Sequence, residues 1–424
     1  MTNIKTIQIN HIAKMEGHTG FLAKIMAGKV KEAKLETAEG ARLYESLVIG
    51  RQFADVPTIV ARICGICPVV HTLTSLKAIE NAFGIKVNQQ VIILRKILEL
   101  AQIVHSHSLH LFFLSLPDFF DIKNDLDLVK KFPQESSAVL EIRRFATEVV
   151  RVIGGRTVHI LTAEVGGFKI LPDKSELKKL MGNYDKIFDQ ALSLVELFRG
   201  LSYPRFIRQT EFISLTAACE YAIYEGDLKS HTGWRVKSDK FREKLSEIEK
   251  PYERVKQSFL ANTGDSFMVG ALARINNNYP YLSFQAKKIW DSLGADLPDY
   301  NSFHNIFAQM VEVIHCLEQL KILITEFLDA SQINLKTDFK VRAGQGVGAV
   351  EAPRGTLYHA YEINNQGIIT KCDIITPTAQ LLNNLEDDLK QYLGEIKSEA
   401  SVIIKNKIRT LIRAYDPCIS CATH

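Results

Sequence analysis

The sequence predicts an α+β fold that is mostly α, and three observations predict it. Residues 89–116 place apolar side chains on nearly every face of a helix, the mark of a long helix inside the molecule. Stretches at about 136–153, 176–199, 239–258 and 303–329 repeat the helical period. Short segments rich in β-branched residues occur near both ends, at about 4–38 and 347–376. With 424 residues, 46% of them hydrophobic, the chain can bury a large core. No repeat, low-complexity tract or linker divides it, so residues 1–424 read as one compact unit.

Taken in order, 4–10, 20–27 and 30–38 form a small N-terminal sheet with a turn at Gly28. A helical core of about 41–330 follows. Its first segment, 41–63, looks helical, and 72–83 reads as an amphipathic helix ended by Gly84. Pro117 closes the long buried helix, and turns fall at Gly154-Gly155, Gly166-Gly167 and Gly264-Asp265. In the second β region Asn364-Asn365-Gln366-Gly367 reads as a hairpin turn. Two helices, about 378–393 and 398–413, lead to the C-terminal stretch.

Charge excludes some functions. Lys and Arg outnumber Asp and Glu by only 52 to 48, without a basic block carrying interleaved aromatics, which argues against a nucleic-acid partner. No apolar run reaches the roughly 18 residues of a membrane span, and the N-terminus lacks the apolar core of a secretory signal. No dinucleotide fingerprint or phosphate loop occurs. Seven cysteines, four of them in Cys-x-x-Cys pairs, fit a reducing compartment, and the expected location is the cytoplasm. Cys219, Cys316 and Cys372 are expected as buried core thiols, and His105, His107 and His110 as packed core histidines.

The chemistry concentrates in two places. Cys64 and Cys67 lie 354 positions before Cys418 and Cys421 (418 minus 64), and each pair faces a metal naturally. A four-sulfur site joining both ends of the chain is the simplest account. Spacing alone leaves structural zinc, an iron–sulfur cluster and a catalytic soft-metal site open. Each pair is followed by an imidazole, His71 or His424, and preceded two positions earlier by a charge, Arg62 or Asp416.

Arg62-Ile63-Cys64-Gly65-Ile66-Cys67 with His71, and Asp416-Pro417-Cys418-Ile419-Ser420-Cys421 with His424, resemble the two signature motifs of the large, catalytic subunit of nickel–iron hydrogenases. The resemblance continues at 11–18, 42–51, 115–118, 267–277, 351–355 and 373–380. One departure is Lys14, where many members have Arg. The phrases at 11–13, 352–357 and 374–379 most resemble cytoplasmic, bidirectional enzymes coupled to NAD(P), of the sulfhydrogenase type.

The resemblance implies reversible cleavage of dihydrogen. Cys64 and Cys418 become terminal nickel ligands, while Cys67 and Cys421 bridge nickel to an iron carrying carbon monoxide and cyanide. Arg354 and Thr378 match the donors to cyanide, and Glu16 matches the proton relay. Asp118 and Asp416 match acids near Arg354, and His71 a partner of a bridging thiolate. His424, Glu45 and the Ile374 carbonyl match ligands of a magnesium-type cation. Family members usually carry an extension cut after the position of His424, where this sequence stops. An iron–sulfur small subunit is implied as electron acceptor, with flavin- and NAD(P)-binding and ferredoxin-like subunits beyond it. Two rivals are a regulatory hydrogen sensor, which would keep the same cysteines, and a zinc-bound scaffold of a redox complex, which would lose some.

Overall fold

The computed structural model describes residues 4–37, 39–40, 42–249 and 255–424. Residues 1–3, the expected element ends at Ala38 and Ala41, and 250–254 within the expected helix at 239–258 lie outside the described residues. The fold is α+β and mostly α, 49% helical against 19% strand. No helix among the described residues is long and apolar enough to cross a membrane.

Strands β1 (Ile4–Ile9), β2 (Thr19–Met26) and β3 (Lys29–Thr37) form an antiparallel meander. The expected helix at 41–63 is broken into Tyr44–Val48, Val56–Val60 and a 3-10 turn Ala61–Ile63. Between them the backbone serves a tertiary contact: Gly50 N–H donates to Ile369 O, Ile369 N–H to Arg51 O, and Phe53 N–H to Gly367 O, each at 2.9 Å.

Helix α1 (Pro68–Phe83) starts with Pro at its first position, where the missing N–H costs nothing, and ends at Gly84 in the left-handed region, φ +68. It is buried on every face except at Lys77 and Asn81, so the expected amphipathic stripe is absent. Helix α2 (Gln89–Leu109) is capped by Asn88 Oδ1, which accepts Val91 N–H. The buried path expected to 116 continues as a π turn, His110–Ser115, and a helical turn, Leu116–Phe119. Pro117 has no N–H to offer the preceding turn, and Lys14 Nζ approaches the Phe113 carbonyl at 3.5 Å.

Helices α3 (Pro133–Gly154), α4 (Tyr184–Arg199), α5 (Ala271–Asn278) and α6 (Asn305–Asp329) continue the helical body, with shorter helices at Asp125–Lys131 and Phe284–Asp291. The expected helix at 176–199 is interrupted at Gly182-Asn183, with Lys174–Met181 before the break. Two further expectations are overturned. The segment at 239–258 forms a 3-10 turn, Ser238–Glu243, and then antiparallel strands Leu245–Glu249 and Lys256–Leu260; Pro251 in the sequence already argues against a continuous helix. A small sheet within the presumed helical body, with Glu211–Thr216 beside Asp227–Ser230, was not anticipated.

The second β region appears as an antiparallel sheet of Gly344–Ala352, Gly355–Ile363 and Ile369–Ile375. Asn364 Oδ1 accepts the N–H groups of Gln366 and Ile368, fixing the expected turn. Gly344, Gly346 and Gly348 face α1. A Cβ at each would meet Ala82 O at 2.1 Å, Ala78 O at 2.2 Å and Thr74 O at 2.2 Å. Two residues of strand, about 6.6 Å, match four residues of helix, about 6 Å, so the strand lies in register on the helix backbone. Gly346→Val is expected to destabilise by at least about 3 kcal/mol, read as a lower thermal midpoint. Gly394, with open space at its Cβ, serves as control: Gly394→Ala should be neutral or stabilising by up to about 1 kcal/mol.

Helices α7 (Pro377–Ile396) and α8 (Ser401–Ala414) deliver the C-terminal segment into the same hydrophobic cluster, which runs from Ile7 to Ala422. Cys316 is buried as expected, Cys372 is half-buried, and Cys219 is exposed. In the loop holding Cys219, the side chains of Tyr221 and Tyr224 take the interior positions instead.

Candidate metal centre

The first cysteine pair sits where the 3-10 turn Ala61–Ile63 hands over to α1. Cys64 is extended, Cys67 is the residue preceding α1, and the Ile66 and Cys67 N–H groups point at Cys64 Sγ at 3.3 and 3.4 Å. The second pair follows a turn at Asp416 with φ +52, a conformation Asp tolerates. Cys418 N–H donates to Thr378 Oγ1 at 3.1 Å, and Cys421 lies in the short helix Ile419–Ala422.

The chain's two ends meet here. Glu16 and Cys418 pair as a parallel bridge, Ile419 N–H donates to Glu16 O at 3.1 Å, and Arg42 N–H donates to Thr423 O at 2.7 Å. Gly17 permits the approach, because its φ is +84 and a Cβ would strike Ile419 Cβ at 2.6 Å. Arg42 Nη2 also donates to the carbonyls of Ile63 and Ser420, each one residue before a cysteine. The run from Arg42 to Arg51 was part of the family resemblance, but this staple was not anticipated from it.

All four sulfurs converge. Cys64 Sγ lies 3.5 Å from Cys418 Sγ, Cys67 Sγ 3.4 Å from Cys421 Sγ, and Cys418 Sγ 3.1 Å from Cys421 Sγ. All four residues are buried. Hydrogen bonds from Cys418 and its neighbours hold the Cys64 thiol well below the usual range, whereas the bond to Cys418 pushes Cys421 up. At Cys418, burial pushes up, but bonding from Cys421 and Cys67 brings the thiol down to about 7. Four soft donors in one dry pocket suit thiophilic metals.

The surroundings exceed what a closed structural site needs. Arg354, in the hairpin turn between Ala352 and Gly355, donates through Nε to Asp416 O at 2.6 Å and through Nη2 to Asp416 Oδ1 at 2.8 Å. Its Nη1 is buried without a partner, a donor ready for a further ligand. Glu16 Oε2 accepts Ser420 N–H at 2.9 Å and the Cys418 thiol at 3.0 Å. Burial and the nearby Cys418 charge push its carboxyl up to about 7. His71 Nε2 stands 4.0 Å from Cys421 Sγ, and its Nδ1 meets His359 Nε2 at 3.2 Å. His359 Nδ1 in turn meets Tyr361 OH at 2.6 Å, a support that sequence reading missed.

Other expected residues divide. Asp118 was expected beside Arg354 but forms its ion pair with Arg413, whose Nε and Nη2 reach Ala13 O. The approach of α8 to the turn after α2 brings Arg413 there first. His424 Nε2 lies 2.8 Å from Ile374 O and its Nδ1 2.7 Å from Cys421 O. Glu45 Oε1 accepts Ile374 N–H at 2.8 Å, while its Oε2 pairs with Lys256 Nζ at 3.0 Å. His107 and His110 are packed core histidines as expected, on Glu312 and on Gln309 with the Arg413 carbonyl. His105 is half-buried.

A sequence profile described as nickel-dependent hydrogenase matches residues 42–139 and 207–424. Sulfhydrogenase 1 subunit alpha of Pyrococcus furiosus is 32% identical, covering 99% of this chain and 97% of that protein. NAD-reducing hydrogenase HoxS subunit beta of Cupriavidus necator is 26% identical over 99% of this chain and 95% of its own length. Among solved structures, an NAD+-reducing [NiFe]-hydrogenase in the H2-reduced state superposes with a TM-score of 0.87 at 25% identity, covering 99% of both chains. With four buried thiols placed to hold metal, the chain belongs to the nickel-dependent hydrogenase family as a large subunit.

Proposed function

We propose that this chain carries out the reversible cleavage of dihydrogen at a nickel–iron centre held by Cys64, Cys67, Cys418 and Cys421, with Cys64 and Cys418 terminal on nickel and Cys67 and Cys421 bridging. The observation that carries the reading is the convergence of four buried thiols, from opposite ends of the chain, beside an arginine with a free buried donor. When bound, such a centre supplies heterolytic splitting of dihydrogen and storage of the electrons. The protein's residues then manage the proton and the surroundings. Cys418 Sγ is the first base and hands the proton to Glu16 Oε2 across 3.0 Å; a carboxyl near 7 exchanges protons efficiently around neutrality. Asp416 aligns Arg354, whose partnerless Nη1 would donate to a cyanide on iron. Thr378 Oγ1 accepts Cys418 N–H and so keeps its own proton to donate to a second cyanide. Carbon monoxide would complete the diatomic set. His71 tunes the Cys421 side, and Asp118 supports the site through Arg413.

Glu45, the Ile374 carbonyl and His424 would hold a magnesium-type cation. A neutral imidazole has one N–H, yet both His424 nitrogens face carbonyl oxygens. Burial lowers this ring's affinity for a second proton, so a cation bound by both Nε2 and Ile374 O would resolve the contact. Electrons leave to an iron–sulfur small subunit and through flavin- and ferredoxin-like subunits to NAD(P), a reading supported by the names of the NAD-reducing relatives. The seven free cysteines favour a cytoplasmic setting, and residues 1–424 act as one unit.

Elemental analysis and infrared spectroscopy of the purified complex test the reading. Nickel and iron in equal amounts, with magnesium and with carbon monoxide and cyanide stretching bands, are expected. Zinc alone, without those bands, would overturn it.

A further inference from the structure

Helix α6 is buried over most of its length, yet its first half carries buried polar residues on one face, among them Asn305, Gln309 and Glu312 at spacings of four and three. Gln309 bonds the Arg354–Asp416 pair itself, while Asn305 and Glu312 bond residues of the neighbouring helices α5 and α8. Asn305 Oδ1 accepts Leu272 N–H at 3.1 Å while its Nδ2 donates to Ala414 O at 2.8 Å, tying the start of α5 to the end of α8. Gln309 Nε2 donates to Asp416 Oδ2 at 3.2 Å, and its Oε1 is held by His110 Nδ1.

Glu312 acts through Arg274. This guanidinium has five N–H groups, and all five are used. Nε and Nη2 meet Glu312 Oε1 and Oε2 at 2.6 and 2.7 Å, and Nη1 meets Glu351 Oε2 at 2.9 Å. The other two donate to the carbonyls of Ala352 and Pro353, both at 2.9 Å. Those peptides are the two that precede Arg354. A planar fork fixes direction as well as charge, which lysine cannot reproduce.

We infer that Gln309, and Glu312 through Arg274, are positioning residues that set the Arg354–Asp416 pair over the thiolate cluster: one arm of α6 holds the carboxylate, and the other holds the hairpin turn that carries the guanidinium. The inference rests on the role proposed for Arg354. Geometry is the reason for two arms. The pair joins a β-hairpin to the segment after α8, elements 62 positions apart in sequence, and neither alone fixes the distance between them.

The test uses the holoenzyme complex carrying Gln309→Ala, Arg274→Lys, Arg354→Lys, and each of the first two combined with Arg354→Lys. Gln309→Ala and Arg274→Lys are expected to lower kcat roughly 10- to 100-fold, the range for a small misplacement of a catalytic group, with KM for dihydrogen and nickel content unchanged. Each double variant should be no slower than Arg354→Lys alone, because the arms act only through that residue. A crystal structure of the Gln309→Ala complex should show the Asp416 carboxylate turned off Arg354 Nη2. Losses that add fully to that of Arg354→Lys, or an unmoved Arg354–Asp416 pair in the crystal, would overturn the inference. Wild-type kcat in Arg354→Lys sinks instead the proposed role of Arg354, while the crystal geometry still decides whether α6 positions the pair. Should Arg274→Lys fail to fold, Gln309→Ala alone decides.

Discussion

Cys421→Ser is expected to release nickel and iron and to reduce dihydrogen turnover to that of the metal-free protein. Cys421 Sγ sits inside the cluster, 3.1 Å from Cys418 Sγ, 3.4 Å from Cys67 Sγ and 4.0 Å from His71 Nε2. Structural four-ligand sites in small peptides bind metal with roughly 10–16 kcal/mol. Removing one thiolate of four therefore forfeits about 2.5–4 kcal/mol, on the order of 10²–10³-fold in affinity. A serine hydroxyl is harder and far less acidic, so it replaces neither the charge nor the softness. Metal content after dialysis against a chelator, beside wild type, measures the loss. Cys219→Ser, at the exposed cysteine, should keep its full metal complement. Retention of both metals by Cys421→Ser would remove this sulfur from the ligand set.

Glu16→Gln is expected to leave the metals in place and slow turnover on the order of 10²-fold or more, the usual contribution of a positioned acid–base group. Glutamine keeps an oxygen for Ser420 N–H, now 2.9 Å from Glu16 Oε2, so the local backbone has no reason to move. Gly17 and the bridge to Cys418 hold the segment independently of the carboxyl. What disappears is a group that alternates between holding and releasing a proton. Rates of dihydrogen evolution and hydrogen–deuterium exchange, normalised to nickel, report it. Undiminished evolution would show that protons leave Cys418 by another route.

Much of this arrangement was legible in the sequence because it is local. Two cysteines three apart can face one metal wherever they occur, Gly84 ends α1, and Asn364 to Gly367 can hardly be other than a turn. Pro251 and Gly182 were legible too, as breaks in the helical segments where they stand, and were overridden by the helical period around them. What stayed hidden depends on partners far along the chain. His71 meets His359 across 288 positions and Arg42 meets Ser420 across 378, and neither contact leaves a periodic trace. The segment at 41–63 has helical composition, but its backbone bonds go to the edge of the sheet around Ile369. The polar face of α6 was present in the letters as Asn305, Gln309 and Glu312, yet in an apolar helix it reads as noise until Arg274 and Asp416 are seen against it.

The meeting of the two chain ends also sets a clock. Cys64 and Cys418 are 354 positions apart, and synthesis at about 5–20 residues per second separates their appearance by roughly 18–70 s. Throughout that interval Cys64 and Cys67 exist as a bare Cys-Gly-Ile-Cys pair on a growing polypeptide, open to oxidation or to a passing metal. The four-sulfur set comes into being only when the final turn packs against Glu16. The complete four-sulfur site therefore cannot be loaded before Cys418 and Cys421 have been made.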